Sequence, residues 1–181
     1  MRVITGTAKG RKLDTLSGSD VRPTTDMVKE AVFSAIQFDI VGRAFLDLFA
    51  GSGQMGIEAL SRGAERATFI DANPDAISVI KSNLTKTGFT DKSQVFRSDY
   101  HSFIASTNDR FDIAFIDPPY RLELLEKALR SVIGIMKPHG IIICEHPLDV
   151  KVPETLDGFS LERQRKYGKI IISIYRKDSE E

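Results

Sequence analysis

Residues 44–64 constrain the fold more than any other stretch of the chain. Ala44 to Ala50 is an apolar run broken only by Asp47, the pattern of a strand buried on both faces. Gly51-Ser52-Gly53 turns the chain, and a helix is predicted from Gln54 onward. Strand, glycine turn and helix in this order make a nucleotide-binding start, in which the helix N-terminus offers unpaired N–H groups and the glycines admit a ligand close to the backbone. Gly51, Gly53 and Gly56 satisfy G-x-G-x-x-G, a pattern that also opens NAD sites. Asp47 argues for another cofactor. A carboxylate on the strand just before the loop repels a pyrophosphate and suits a cationic amino group, as in S-adenosylmethionine.

The rest of the chain repeats the strand–helix alternation. Ala67–Asp71 is the second strand, and Asp71 follows Gly51 at the spacing at which a carboxylate meets ribose hydroxyls. Asn73 and Pro74 read as N-cap and first residue of the next helix, with Ile77, Ile80 and Leu84 as its apolar stripe and Gly88 past its end. Gln94–Arg97 is a third strand ending in Asp99 and Tyr100, an acceptor for an adenine amino group and a ring to flank the base; a short helix follows, with Phe103 and Ile104 inward. Phe111–Ile116 is a fourth strand. Apolar positions from Leu122 to Met136 predict an amphipathic helix stopped before Pro138, and Gly140–Glu145 reads as a buried fifth strand. Phe159–Arg163 and Ile170–Tyr175 read as an antiparallel hairpin joined at Tyr167-Gly168. Alternation of this kind implies a mostly parallel sheet with helices on both faces, with ligands bound beyond the strand C-termini. The loops carrying Asp47, Asp71, Asp99 and Asp117 all fall at that end.

Asp117-Pro118-Pro119-Tyr120 ends the fourth strand. An exocyclic amine on a nucleobase is a poor nucleophile, because its lone pair is delocalised into the ring. Two acceptors on its hydrogens, the Asp117 carboxylate and the Pro118 carbonyl, favour the tetrahedral nitrogen that attacks a sulfonium methyl. The prolines fix the turn and remove N–H donors, and Tyr120 offers a face for an extruded base. Direct transfer by positioning and electrostatics follows. His101, His139 and His146 have no zinc-ligand spacing, so no metal is expected.

At 181 residues a single domain is expected. No apolar run has the length of a membrane span, and the N-terminus lacks the apolar core of a signal peptide. The lone cysteine, Cys144, lies in an apolar run and reads as a core residue; these features fit a reducing cytoplasm. Because 25 basic residues balance 25 acidic ones, nucleic-acid binding must come from local patches. Residues 1–22 supply one: Val3-Ile4-Thr5 and Arg11-Lys12-Leu13 could pair around the Ala8-Lys9-Gly10 turn, and Lys9, Arg11, Lys12 and Arg22 face RNA if this arm is functional and water if it is not. Residues 23–181 then form the catalytic domain. Thr24 or Thr25 caps a helix with Met27, Val28, Ala31, Val32, Ala35 and Ile36 at helical spacing.

The segment Asp47-Leu48-Phe49-Ala50-Gly51-Ser52-Gly53 together with Asp117-Pro118-Pro119-Tyr120 resembles the class I adenosylmethionine-dependent N-methyltransferases. Lys9-Gly10-Arg11-Lys12-Leu13, Arg22-Pro23-Thr24-Thr25-Asp26 and the stretch Gly56 to Ala64 narrow the resemblance to the bacterial family that methylates N2 of a specific guanine in 16S ribosomal RNA. The resemblance spans nearly the whole chain. It implies a Rossmann-like fold with a mostly parallel, about seven-stranded sheet, an antiparallel C-terminal strand and a short N-terminal β arm. It also implies that Asp47, Phe49, Ala50, Gly51, Ser52, Gly53, Gly56, Asp71, Asp99 and Tyr100 hold S-adenosylmethionine, that Asp117, Pro118, Pro119 and Tyr120 hold the base, and that a cytoplasmic monomer acts on 16S rRNA or a small-subunit assembly particle. Gln54-Met55 departs from the smaller residues frequent there. The alternatives are an adenine-N6 nucleic-acid methyltransferase and a cofactor-binding RNA-assembly factor without catalysis.

Overall fold

The computed structural model describes residues 1–17, 25–119 and 122–178. The chain alternates as predicted: α1 (Asp26–Ala35), β1 (Ala44–Asp47), α2 (Gln54–Ser61), β2 (Arg66–Asp71), α3 (Pro74–Thr87), β3 (Ser93–Arg97), α4 (Tyr100–Ser106), β4 (Phe111–Ile116) and α5 (Leu122–Val132). It closes with β5 (Met136–Pro147), β6 (Thr155–Leu156), β7 (Phe159–Tyr167) and β8 (Ile170–Lys177). The sheet order is β3-β2-β1-β4-β5-β8-β7-β6. Strands β1 to β5 pair in parallel, and β8, β7 and β6 add antiparallel. The eighth strand, beyond the seven expected, is the two-residue edge Thr155–Leu156.

Alternation along each strand builds two cores. On one face, Phe45 of β1 and Phe69 of β2 pack with Phe33 of α1 and Ile80 of α3. On the other, Leu46 and Ile116 pack with Leu129 of α5 and Tyr175 of β8. Cys144 is buried in this second core, and burial pushes its thiol up to about 12, which marks a packing residue and not a nucleophile.

Three boundaries carry the local chemistry. Thr25 caps α1, its Oγ1 accepting from Val28 N at 3.3 Å; Thr24, the other predicted cap, lies outside the described residues. Asn73 caps α3 with Pro74 behind it, and Gly88 ends that helix in the left-handed region. The predicted helix reaching Met136 instead stops at Val132. A 3-10 turn at Ile133–Ile135 follows, and Met136 already pairs as strand with Phe111 of β4. Helical spacing of Ile133 and Met136 is equally the spacing of a tightened turn that keeps apolar side chains on the core, so the pattern could not separate the two.

The N-terminal residues form an arm closed by a single antiparallel bridge, Arg2 to Lys12, and not by two strands. The arm is docked. Ile4 N and Thr5 N donate to Glu58 of α2 at 2.8 and 3.0 Å, and Ala8 N donates to Ser61 Oγ at 3.0 Å. A Cβ on Gly6 would lie 1.8 Å from the Ser61 carbonyl oxygen, so only glycine lets the arm lie this close. Val3, Ala8 and Leu13 are buried beneath it, while Lys9, Arg11 and Lys12 are exposed.

Candidate active site

The strand order reverses between β1 and β4, and the crevice beyond their C-termini is where a sheet of this kind binds ligands. A cavity of about 630 Å³ opens there. The loop after β1 contributes Asp47, Phe49, Ala50, Gly51 and Ser52; β2 contributes Asp71; the start of α4 contributes Asp99 and Tyr100; the end of β4 contributes Asp117, Pro118 and Pro119. Residues from four separate strand ends thus meet in one cavity of cofactor size. Tyr120 and Arg22 lie outside the described residues.

Gly53 and Gly56, predicted at the cofactor, do not line the cavity. Gly53 is the N-cap of α2. A Cβ on Gly56 would meet the Phe69 ring at 2.3 Å, so this glycine sets the close packing of α2 on β2. Its N–H, a donor at the helix start, reaches Asp47 Oδ2 at 3.1 Å. Both glycines shape the loop from behind.

Asp47, Asp71 and Asp99 each already have a structural task. Asp47 is 1% exposed. Burial, with the Asp71 charge adding to it, raises its pKa to about 8 against the opposing hydrogen bond from Gly56. Asp71 Oδ2 accepts from Gly51 N at 2.9 Å and its Oδ1 from Asn73 N at 2.8 Å, which ties the glycine loop to the start of α3. Asp99 caps α4, its Oδ1 accepting from Ser102 N at 2.9 Å, and hydrogen bonds from Ser102 hold its carboxyl below the usual value. Phe49 and Tyr100 lie with ring centroids 5.5 Å apart, tilted by 42°. Asp117 is raised well above the ordinary carboxylate range by burial, then by the neighbouring charges of Glu145 and Asp47. Glu145, buried on β5, was not singled out as a site residue, because it reads as the end of an apolar strand. The register explains its place: Ile116 pairs with Cys144, so the next residues along, Asp117 and Glu145, lie side by side.

Sequence reasoning also missed the arm as a wall of the cavity. Met1, Thr15 and Leu16 line it. Asn83 of α3, fully buried, holds this wall in place: its Oδ1 accepts from Asp14 N at 2.7 Å, and its Nδ2 donates to Asp14 O at 3.0 Å and Ser52 O at 2.9 Å. One side chain therefore joins the arm to the glycine loop. Gln54, the departure noted above, lines the cavity and accepts from the buried Lys29 Nζ at 3.4 Å. Burial lowers the Lys29 pKa against the pull of Glu58, 3.9 Å away.

The lining suits a cationic cofactor. Asp47, Asp71, Asp99 and Asp117 face the cavity, and no lysine or arginine lines it among the described residues. A dinucleotide pyrophosphate would meet acidic walls, whereas a ligand with ammonium and sulfonium charges and a ribose finds acceptors.

A parallel sheet in this order, with a glycine loop after β1 and an Asp-Pro-Pro turn after β4 at one crevice, has the Rossmann-like class I methyltransferase architecture. The family model described as "Conserved hypothetical protein 95" matches residues 1–176. "Putative rRNA methyltransferase YlbH" of Bacillus subtilis is 42% identical over 98% of this chain and 99% of its own length. "Ribosomal RNA small subunit methyltransferase D" of Escherichia coli is 33% identical over 99% of this chain and 91% of its own. The solved "Putative methyltransferase yhhF from Escherichia coli" superposes with a TM-score of 0.89 at 33% identity, covering 99% of each chain. The chain belongs to this bacterial family of small-subunit rRNA methyltransferases, as the resemblance indicated.

Proposed function

We propose that the protein transfers a methyl group from S-adenosylmethionine to the exocyclic N2 of a specific guanine in 16S rRNA. The observation that carries this reading is the Asp117-Pro118-Pro119 turn, which opens from the end of β4 into the same cavity as Asp47, Asp71 and Asp99. The relatives named above supply the substrate class, and the choice of guanine N2 rests on the family resemblance.

When bound, S-adenosylmethionine supplies an electrophilic methyl group. Asp71 would accept from its ribose hydroxyls, Asp99 from the adenine amino group, and Phe49 and Tyr100, whose rings lie against each other, would pack on the adenine. Asp47 faces the ammonium group. Asp117 and the Pro118 carbonyl would accept from the two hydrogens of the guanine amino group and orient its lone pair for attack. The raised pKa of Asp117 also makes it a stronger base than an ordinary carboxylate, fitted to take the proton that the nitrogen loses. Tyr120 stacks on the extruded base. Lys9, Arg11, Lys12 and Arg22 hold RNA phosphates, and the protein works as a cytoplasmic monomer on 16S rRNA or an assembling small subunit.

The test uses 16S rRNA transcribed in vitro and labelled S-adenosylmethionine. Methyl incorporation is mapped to a nucleotide, and that guanine is then replaced by inosine, which lacks only the 2-amino group. The inosine RNA is expected to bind and accept no methyl. Incorporation at the inosine would show that N2 is not the acceptor.

A further inference from the structure

The C-terminal hairpin carries a basic surface that the site described above does not use. Arg163, Arg165, Lys166 and Lys169 lie within seven residues of β7 and its turn. Among the described residues none of them has a carboxylate partner; the neighbouring Glu162 is engaged by Arg176 at 2.7 Å.

A register irregularity aims both arginines. Leu161 of β7 pairs with Tyr175, whose side chain belongs to the core beneath α5. The ladder then slips by one residue, and Arg163, Arg165 and Tyr167 pair with Ile174, Ile172 and Ile170, which belong to the core beneath α1. An inserted residue of this kind redirects the side chains after it to the other face of the sheet. Arg163 and Arg165 therefore lie on the α1 face, exposed, and line a groove of about 200 Å³ with Ala31, Ser34 and Ala35. The small side chains of α1 leave this groove open. Across α1, its other flank bears the arm, where Arg2 and Lys9 lie beside Glu30.

The register also places the hairpin relative to the catalytic turn. Arg165 pairs with Ile172, and Ile172 with Glu145, the residue level with Asp117. Tyr167 and the turn beyond it lie level with Pro147, further toward the catalytic end of the sheet. Three strand spacings separate β4 from β7, so Arg165 is about 14 Å from Asp117 along the sheet. The acidic cofactor walls come from β1, β2 and α4, on the other side of Asp117. Polyanionic RNA is thus repelled from one half of this end and attracted to the other.

We propose that the β7–β8 hairpin is a second RNA-docking surface, on which Arg163 and Arg165 on the α1 face, with Lys169 in the turn and Lys166 on the opposite face beside it, hold the phosphates that flank the target base. This rests on the rRNA reading given above. Together with the arm it clamps RNA on either side of α1, so that the nucleotide between the two contacts is presented to Asp117.

Binding of in vitro transcribed 16S rRNA is measured over a salt series for the wild type, the R163Q/R165Q and K166Q/K169Q doubles, and an R163K/R165K control. The glutamine doubles are expected to bind about tenfold more weakly at 0.1 M salt, with the slope of log K against log salt smaller by about 1–2. The lysine control keeps its charges and is expected to retain the slope. S-adenosylmethionine affinity and the urea midpoint should match the wild type in every variant, which separates lost docking from lost folding. Wild-type salt dependence in both glutamine doubles overturns the hairpin proposal alone. A wild-type protein that binds no rRNA overturns both this proposal and the rRNA reading.

Discussion

Asp117 shows how one residue's surroundings set its chemistry. Its carboxyl is raised well above the ordinary carboxylate range by burial first and by Glu145 and Asp47 second, and only the ionised form is a charged acceptor for an amine. A carboxyl whose folded pKa is raised gains its charge only as pH climbs past that value. The methyl-transfer rate at saturating cofactor is therefore expected to rise with pH, and to do so above the ordinary carboxylate range, in single-turnover measurements. Asp117→Asn keeps an acceptor oxygen without a titrating proton, and should react slowly with a rate independent of pH. Asp117→Ala loses the partner altogether, a change that costs on the order of 10²–10³ in rate. A wild-type rate that does not rise with pH would contradict the assigned role. Asp71 differs, because it already accepts from Gly51 N and Asn73 N. Asp71→Ala should weaken S-adenosylmethionine binding by about 1.5–3 kcal/mol for each charged hydrogen bond lost, read by calorimetry.

At the scale of elements, the arm is part of the enzyme's frame. Glu58 of α2 accepts from Ile4 N and Thr5 N, pairs with Arg62 at 2.8 Å and faces the fully buried Lys29. Removing such a partner leaves a buried charge uncompensated, at a cost of about 3–5 kcal/mol. Glu58→Ala should show that loss in urea unfolding. Asn83→Ala tests the link between arm and cofactor loop: it strands Asp14 N, Asp14 O and Ser52 O, each costing about 1–3 kcal/mol if it stays dry. Both stability and cofactor affinity should fall, whereas Asn83→Ala with unchanged calorimetry would detach the arm from the site. None of this was legible beforehand. The signals that were legible are local: the Asn73-Pro74 start and Gly88 end of α3, the strand before Gly51, the Asp-Pro-Pro turn. The contacts of the arm with Glu58, Ser61 and Asn83 join residues 53 to 69 apart in sequence through polar atoms, and no periodicity encodes them. Charge read Lys9, Arg11 and Lys12 as surface residues, which they are; it could not show that Thr15 and Leu16 behind them wall a cavity. Glu145 escaped for the same reason, since only the β4–β5 register sets it beside Asp117.

For the whole molecule, the crevice that makes a site also destabilises the fold, and the two effects share one titration. Asp47 has a folded pKa near 8 against an ordinary 3.8. Between those values the native state holds a proton that the unfolded chain has released. Stability contributed by this residue is thus complete in acid and declines as pH rises from about 4 to 8. Asp112 runs the other way: burial raises its pKa, but hydrogen bonds from Lys137, Ala44 and Arg43 together outweigh this and lower it, so its contribution is present above pH 4 and lost below. The ligand-free protein should accordingly be most stable in mildly acidic buffer and lose stability toward pH 8 in urea titrations. Asp47→Asn, neutral at every pH, should flatten the alkaline decline and be more stable than wild type at pH 8. If Asp47 faces the ammonium of S-adenosylmethionine, binding favours its ionised form and releases the proton. Affinity should then increase from pH 6 to pH 8, and the rise in melting temperature on adding cofactor should be larger at pH 8. Both pH effects should shrink together in Asp47→Asn, leaving in the stability profile only the decline that the raised Asp117 contributes. Loss of the stability decline with cofactor affinity still rising as in wild type would place Asp47 in the core of the crevice and assign the ammonium group to another acceptor.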